Sequence, residues 1–376
     1  MGGIISEKIL HSTMKENNYF LILRTIFHNK TIDRVSLTKI TGLSPSTVTR
    51  CVTQLLERGV ITETSRLEEK TGVGRKSIGL AINPDALKVL LVDIGAQNTN
   101  YALGMANGEF VKLESGKTPN SFDEIIDNVN SLTKSYNDVE VVAFSIPGMV
   151  DTDNDTILFV PSKGWKNIKI EIPEKVIYAD NEANLAMIAE AFQREEVRKS
   201  KSSVFVTIRE GLGTGLWING NIFRGPSFTA GEFGHTIFDL SSNIKCRCGN
   251  NGCMEGYVSI TSYFGKLQKD WGKYLSDLYL RKDKRMQEYI ELLAKALMNI
   301  VNSINPEYLI VGGELSGLPL DFYKDLEYKL KSKVLEHSAS ILKVLPATFT
   351  HDTYLYGALY AVIEEYFIPN VITIIS

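Results

Sequence analysis

Cysteine is scarce: four in 376 residues are too few for the disulfide frameworks that brace small secreted domains. No apolar run reaches the roughly 18 to 20 residues that a membrane-spanning helix requires, so no membrane segment is expected. A strong charge of either sign is also missing, since 41 Lys and Arg oppose 44 Asp and Glu for a formal net charge of -3. With 44% hydrophobic and 23% charged residues, the composition excludes disordered and collagenous chains. The opening MGGIISEKILHSTMKENNYF is broken by charge too early for a secretory signal, and Gly2 followed by Ser6 reads as a chance likeness to a myristoylation signal. A soluble, cytoplasmic protein is expected, long enough for two or three domains.

The small net charge conceals an asymmetry. Residues 1–85 carry 12 basic against 8 acidic side chains, whereas the remainder carries 29 against 36. A basic head on an acidic body is a pattern that can mark a nucleic-acid module.

The head reads as three helices and a hairpin. A first helix is expected from Met14 to about His28, with Phe20, Leu21, Leu23, Ile26 and Phe27 as its apolar stripe. A second starts at Ser36 as N-cap and ends before Gly42. Ser44-Pro45 then combines an N-cap with proline at the first helical position, opening a third helix to about Arg58 with Val48, Cys51, Val52 and Leu55 inward. Strands near 60–65 and 76–83 flank RLEEKTGVGR, a glycine-rich basic wing. This is a winged helix-turn-helix, in which early residues of the second helix of the pair meet base edges. Ser46, Thr47, Thr49 and Arg50 are the candidate contacts to double-stranded DNA, with Arg75 and Lys76 of the wing on its phosphates. A small dimerisation or protein-binding domain is the alternative.

Asn83-Pro84-Asp85 marks the expected boundary between a DNA-binding domain, 1–85, and a second unit, 86–376. From there short strands and amphipathic helices alternate, as in a mixed α/β fold. Asp93-Ile94-Gly95 ends one strand, and 203–218 reads as two strands around the glycine turn GLGTG. Two such modules suggest two lobes around a cleft.

The sharpest local signal is His235 with Cys246, Cys248 and Cys253. Three thiolates on one tight loop and an imidazole supply the four tetrahedral ligands of a structural Zn2+ site, with no coordination position left for chemistry.

Gly231-Glu232-Phe233-Gly234-His235, followed by Cys-x-Cys-Gly-x-x-Gly-Cys-x-Glu, resembles the signature of the ROK family of repressors and sugar kinases. The winged head ahead of this body resembles the layout of the family's sugar-responsive repressors. The resemblance implies a two-lobed actin-like ATPase fold with a monosaccharide or small oligosaccharide in the cleft, and xylose by analogy. It implies that Asn181, Glu182, Glu232, His235 and Glu255 hold the sugar hydroxyls, a task suited to carboxylates and amides. Taken alone, Glu182 is equally well read as a carboxylate favoured by a helix start.

Kinase activity needs glycine loops around phosphates and a well-placed base. The family's Asp-x-Gly-Gly-Thr reads Asp93-Ile94-Gly95-Ala96-Gln97 here, and Arg209-Glu210-Gly211 replaces Gly-Thr-Gly. The catalytic aspartate position holds Glu182, a degenerate base, so no catalytic residue is expected. The expectation is a sugar-responsive repressor acting as a homodimer or homotetramer; the alternatives are a sugar kinase carrying a DNA-binding head and a DNA-binding protein without a ligand.

Overall fold

The computed structural model describes residues 14–67, 77–266 and 270–375. The opening MGGIIS and the wing tip, including Arg75 and Lys76, lie outside the described residues.

The head contains α1 (Met14–Asn29), α2 (Arg34–Thr41), α3 (Pro45–Glu57) and the antiparallel strands β1 (Ile61–Leu67) and β2 (Ser77–Ile82). Asp33, not Ser36, caps α2: its carboxylate accepts from the Ser36 N–H at 2.9 Å, satisfying a donor free at any helix start. Ser44 caps α3 as expected, accepting from Thr47 N–H at 3.2 Å. The stripe of α1 differs from expectation. Tyr19, Ile22, Leu23, Ile26 and Phe27 are buried at strict helical spacing, whereas Leu21 falls out of phase and is 40% exposed.

In the body, β3 (Lys88–Ile94), β4 (Asn98–Met105), β5 (Phe110–Lys117), β6 (Val141–Ile146) and β10 (Val176–Asn181) form a sheet ordered β10-β6-β3-β4-β5. Between β6 and β10 lies a small sheet of β7 (Met149–Asp151), β8 (Thr156–Val160) and β9 (Trp165–Lys169). The second lobe repeats the theme with β11 (Ser202–Ile208), β12 (Leu212–Ile218), β13 (Asn221–Ile222), β14 (Tyr308–Gly313) and β15 (Lys343–Pro346), ordered β13-β12-β11-β14-β15. In both lobes one strand pairs antiparallel with its hairpin partner and parallel with a later strand: β3 with β4 and β6, β11 with β12 and β14. GLGTG is therefore not a turn. Gly213 and Gly215 lie inside β12, and the turn is Arg209–Gly211.

Among the helices, α4 (Phe122–Ser135) covers the first sheet, while α5 (Glu182–Gln193) runs between the lobes. Ala183 to Phe192 are all buried, which explains why this helix is apolar on every side except at its ends and at Glu190. Glu190 accepts from the backbone and hydroxyl of Thr348, both at 2.6 Å. Two glycines admit α5. A Cβ on Gly215 would lie 2.2 Å from the Ala183 carbonyl oxygen, and one on Gly357 would lie 2.0 Å from that of Leu185. Replacing Gly357 with alanine therefore forces the crossing apart and lowers unfolding stability by about 1–3 kcal/mol in denaturant melts.

Following the short α6 (Glu195–Arg198), the second lobe is completed by α7 (Glu255–Val258), α8 (Ile260–Phe264), α9 (Trp271–Leu280), α10 (Lys284–Ile304), α11 (Leu320–Lys331) and α12 (Glu336–Ile341). The chain ends in α13 (Thr353–Val362) and α14 (Ile368–Ile375), joined by a π-helical turn. Among the described residues one helical stretch, Thr353–Ile375, is long and apolar enough to cross a membrane by length and composition. It contains Glu364 and Glu365, and much of it is buried as a core helix, against α5 and the head.

The core is continuous across residue 85. Phe27 of α1 packs edge-on against Phe192 of α5 at 4.8 Å and against Tyr360 of α13 at 6.2 Å. Arg24 donates to Glu364 at 2.8 Å, and Arg198 donates to His28 at 2.9 Å. Burial, reinforced by Arg198 and Arg24, holds His28 down at about 4, so it is the neutral acceptor that this contact requires.

Candidate functional site

Strand β10 ends at the mouth of the cleft. Asp180, 1% exposed, accepts from Arg224 at 2.7 Å and from Asn184 at 2.9 Å, which fixes the strand end. Asn181 then caps α5, accepting from Ala183 N–H and donating to the Gly148 carbonyl, both at 2.8 Å. Its amide is thus engaged at both ends. Glu182 opens α5, and burial raises its carboxyl to about 7, with Arg209 opposing that rise.

The remaining candidates come from the second lobe. Glu232 precedes and His235 ends one turn of 3-10 helix, Phe233–His235, with Glu232 Oε2 3.7 Å from His235 Nε2. Glu255 begins α7, and its Oε2 accepts from the Leu212 N–H at 3.0 Å, leaving Oε1 for another partner. Burial also raises the Glu232 carboxyl. Asn181, Glu182, Glu232, His235 and Glu255 line one cavity of about 540 Å³, within the range of small-molecule sites. Seven carboxylates and two arginines line it. Such a lining can accept hydrogen bonds from a neutral polyol.

Two features were missed at the sequence level. Arg209 is central: its guanidinium lies 3.6 Å from Glu182 and 5.6 Å from the ring centre of Tyr354. An arginine where family loops carry glycine was its only signal. The Asp180–Arg224 pair had none, because its partners are 44 residues apart.

Behind the cavity, His235 and the three cysteines place one ligand atom each within 4.8 Å of one another. His235 Nδ1 is 3.3 Å from Cys246 Sγ, and Cys248 Sγ is 3.6 Å from Cys253 Sγ. A tetrahedron with Zn–S bonds of ~2.3 Å has edges of about 3.8 Å, so the set fits such an ion. Nδ1 faces the sulfurs while Nε2 faces Glu232 and the cavity.

In the head, α3 presents exposed Ser46, Thr49 and Arg50 and half-buried Thr47. Ser44 ties the hydroxyls of Ser46 and Thr47 into the cap at 2.9 Å, leaving Arg50 as the long cation on this face. Val48, Cys51, Val52 and Leu55 form the opposite, buried face.

Residues 89–365 match the profile of the ROK family. The chain belongs to the ROK family. Residues 20–62 match a winged helix-turn-helix DNA-binding profile, so this ROK protein carries its DNA-binding fold ahead of the body. It is 26% identical to the xylose repressor of Bacillus subtilis (strain 168), over 94% of this chain and 96% of that one. It is also 28% identical to an N-acetyl-D-glucosamine kinase of Aliivibrio fischeri, over 65% of this chain and 89% of the kinase. The crystal structure of a ROK family transcriptional regulator, a homologue of the E. coli MLC protein, superposes with a TM-score of 0.74 at 21% identity, covering 96% of this chain and 99% of that one. That likeness shows the fold: a winged helix-turn-helix on a two-lobed ROK body.

Proposed function

We propose that this ROK protein is a sugar-responsive transcriptional repressor: residues 1–85 bind double-stranded operator DNA and residues 86–376 bind a sugar that alters that binding. The observation that carries the reading is the convergence of Glu182, Glu232, His235 and Glu255 on one acidic cavity in a chain whose head is a winged helix-turn-helix. Xylose is the first candidate, by likeness to the xylose repressors. The protein works in the cytoplasm as a homodimer or homotetramer, because paired recognition helices read half-sites about one helical turn apart.

Helix α5 carries the signal. Its first residue, Glu182, lines the cavity, and Phe192 near its end packs on Phe27 and His28 of α1. A shift of α5 on sugar binding moves the head directly, and a coupling of about 1–3 kcal/mol is enough for regulation. Kinase chemistry is disfavoured by the same cavity. Glu210 puts a carboxylate where phosphates would lie, and Glu182 sits against Arg209 rather than free as a base.

The reading is tested by incubating the full chain with D-xylose, D-glucose and N-acetyl-D-glucosamine, with and without ATP and Mg2+, and recording thermal shift together with release of DNA selected on the protein. One sugar is expected to shift and release it without nucleotide; sugar-dependent ADP formation would favour a kinase. Arg50→Ala is expected to weaken DNA binding about 5- to 150-fold, the range of a good base contact, with sugar affinity unchanged.

A further inference from the structure

The tip of the β11–β12 hairpin joins the two lobes. Gln97, in the β3–β4 turn of the first lobe, donates to Glu210 Oε1 at 2.6 Å across 113 residues of sequence. Next to Glu210, Arg209 reaches Glu182 at 3.6 Å; burial raises the carboxyl of Asp93, near the end of β3, and the charge of Arg209 opposes that rise. Asp93 is 8% exposed, and its Oδ1 has no hydrogen-bond partner among the described residues. An unpaired buried carboxylate oxygen is costly and draws the nearest cation. The hairpin tip itself is held, because the Arg209 carbonyl accepts from Ile260 N–H at 2.9 Å and its N–H donates to the Gly211 carbonyl at 3.0 Å.

We propose that Arg209 and Glu210 form an interlobe latch, in which the Gln97–Glu210 hydrogen bond and the Arg209–Glu182 ion pair hold the cleft closed over the sugar. The proposal rests on the sugar-responsive reading above. The sequence changes that remove phosphate-binding character from the two loops thereby acquire a positive role. Side chains of the chain itself bridge the two hairpin turns. Gln97 and Glu210 are exposed, so replacing them leaves the core untouched.

The test uses full-length Gln97→Ala, Glu210→Ala and the double variant, titrated with D-xylose by calorimetry and with selected DNA by anisotropy. Each single variant is expected to bind D-xylose about 3- to 12-fold more weakly, and the double variant no more weakly than the worse single one, since both remove the same hydrogen bond. DNA affinity without sugar is expected not to fall below the wild-type value. Additive losses, or none, overturn the latch. If the wild-type chain binds neither D-xylose, D-glucose nor N-acetyl-D-glucosamine, the sugar-responsive reading fails instead. The latch is then judged by small-angle scattering of the free chain, where a larger radius of gyration in the double variant supports it and an unchanged radius refutes it.

Discussion

Glu232→Ala is expected to leave DNA affinity intact and to weaken the sugar response roughly 10- to 150-fold, the loss of one charge-assisted hydrogen bond. The asymmetry follows from position. Glu232 lines the cavity next to His235, whereas the proposed DNA contacts are on α3 in the head. Its nearest protein partner is His235 Nε2 at 3.7 Å, so its carboxylate is available to accept from sugar hydroxyls. Stability should not suffer. Burial raises this carboxyl, which means the folded state disfavours its charged form at neutral pH, and removing it relieves that cost. Glu232→Gln keeps hydrogen-bonding capacity without charge and should lose less. Titration of D-xylose into the protein–DNA complex, with direct calorimetry alongside, measures both effects. A variant that still releases DNA at wild-type sugar concentrations would remove Glu232 from the pocket.

How much of this arrangement was legible depends on the range of the interaction. The α3 cap was readable because Ser44, Pro45 and Thr47 interact within four residues. The cluster of His235 with the three cysteines was readable because three of its members share one short loop. The α2 start was misread within the same range, because Asp33 and Ser36 are both competent caps and only φ and ψ decide between them. In α1 the strict spacing of Tyr19, Ile22, Leu23, Ile26 and Phe27 was present in the sequence, but Leu21 hid it by being apolar and out of phase. The glycines of β12 look like a turn in isolation; only the passage of α5 beneath them explains why Gly215 carries no side chain.

Contacts between distant segments left no periodic trace. Gln97 and Glu210 stood out separately as departures from family loops, and nothing local foretold that they meet. The same holds for Phe27 against Phe192 and Tyr360, which joins head and body into one core. These unforeseen contacts link the cavity to the head. The cavity residues were collected by resemblance, whereas the coupling was visible only in three dimensions.

Cys253→Ala is expected to abolish zinc binding at the His235–cysteine cluster and to lower sugar affinity about 100-fold or more, equivalent to losing two charge-assisted hydrogen bonds. The segment from Asp239 to Asn251 has little apolar core of its own; Leu240 is 96% exposed and Cys248 is exposed, while Cys253 is buried. Backbone hydrogen bonds such as Cys246 N–H to Asn250 O, 2.8 Å, and Gly252 N–H to Ile244 O, 2.9 Å, close the loop, and the Tyr257 hydroxyl of α7 donates to Asp239 at 3.0 Å at the segment's first residue, away from the cysteine turn, which calls for an anchor of its own. An ion bound by all four ligands would supply that anchor, and its binding energy would be folding energy for the loop. It would also act on the pocket through one ring. With Nδ1 on the metal, Nε2 must carry the proton, so His235 offers the cavity a donor beside the acceptors Glu232 and Glu255. Without the ion, the tautomer and the ring position are both released. Metal analysis should find one zinc per wild-type chain and none in the variant, with a lower thermal midpoint. Stripping wild-type protein with a chelator should reproduce the sugar defect, and added Zn2+ should restore wild type but not the variant. Cys51→Ala, in the buried face of α3, should lose stability while keeping its zinc and its sugar affinity. A Cys253→Ala protein that still holds one zinc and binds sugar normally would remove Cys253 from the site.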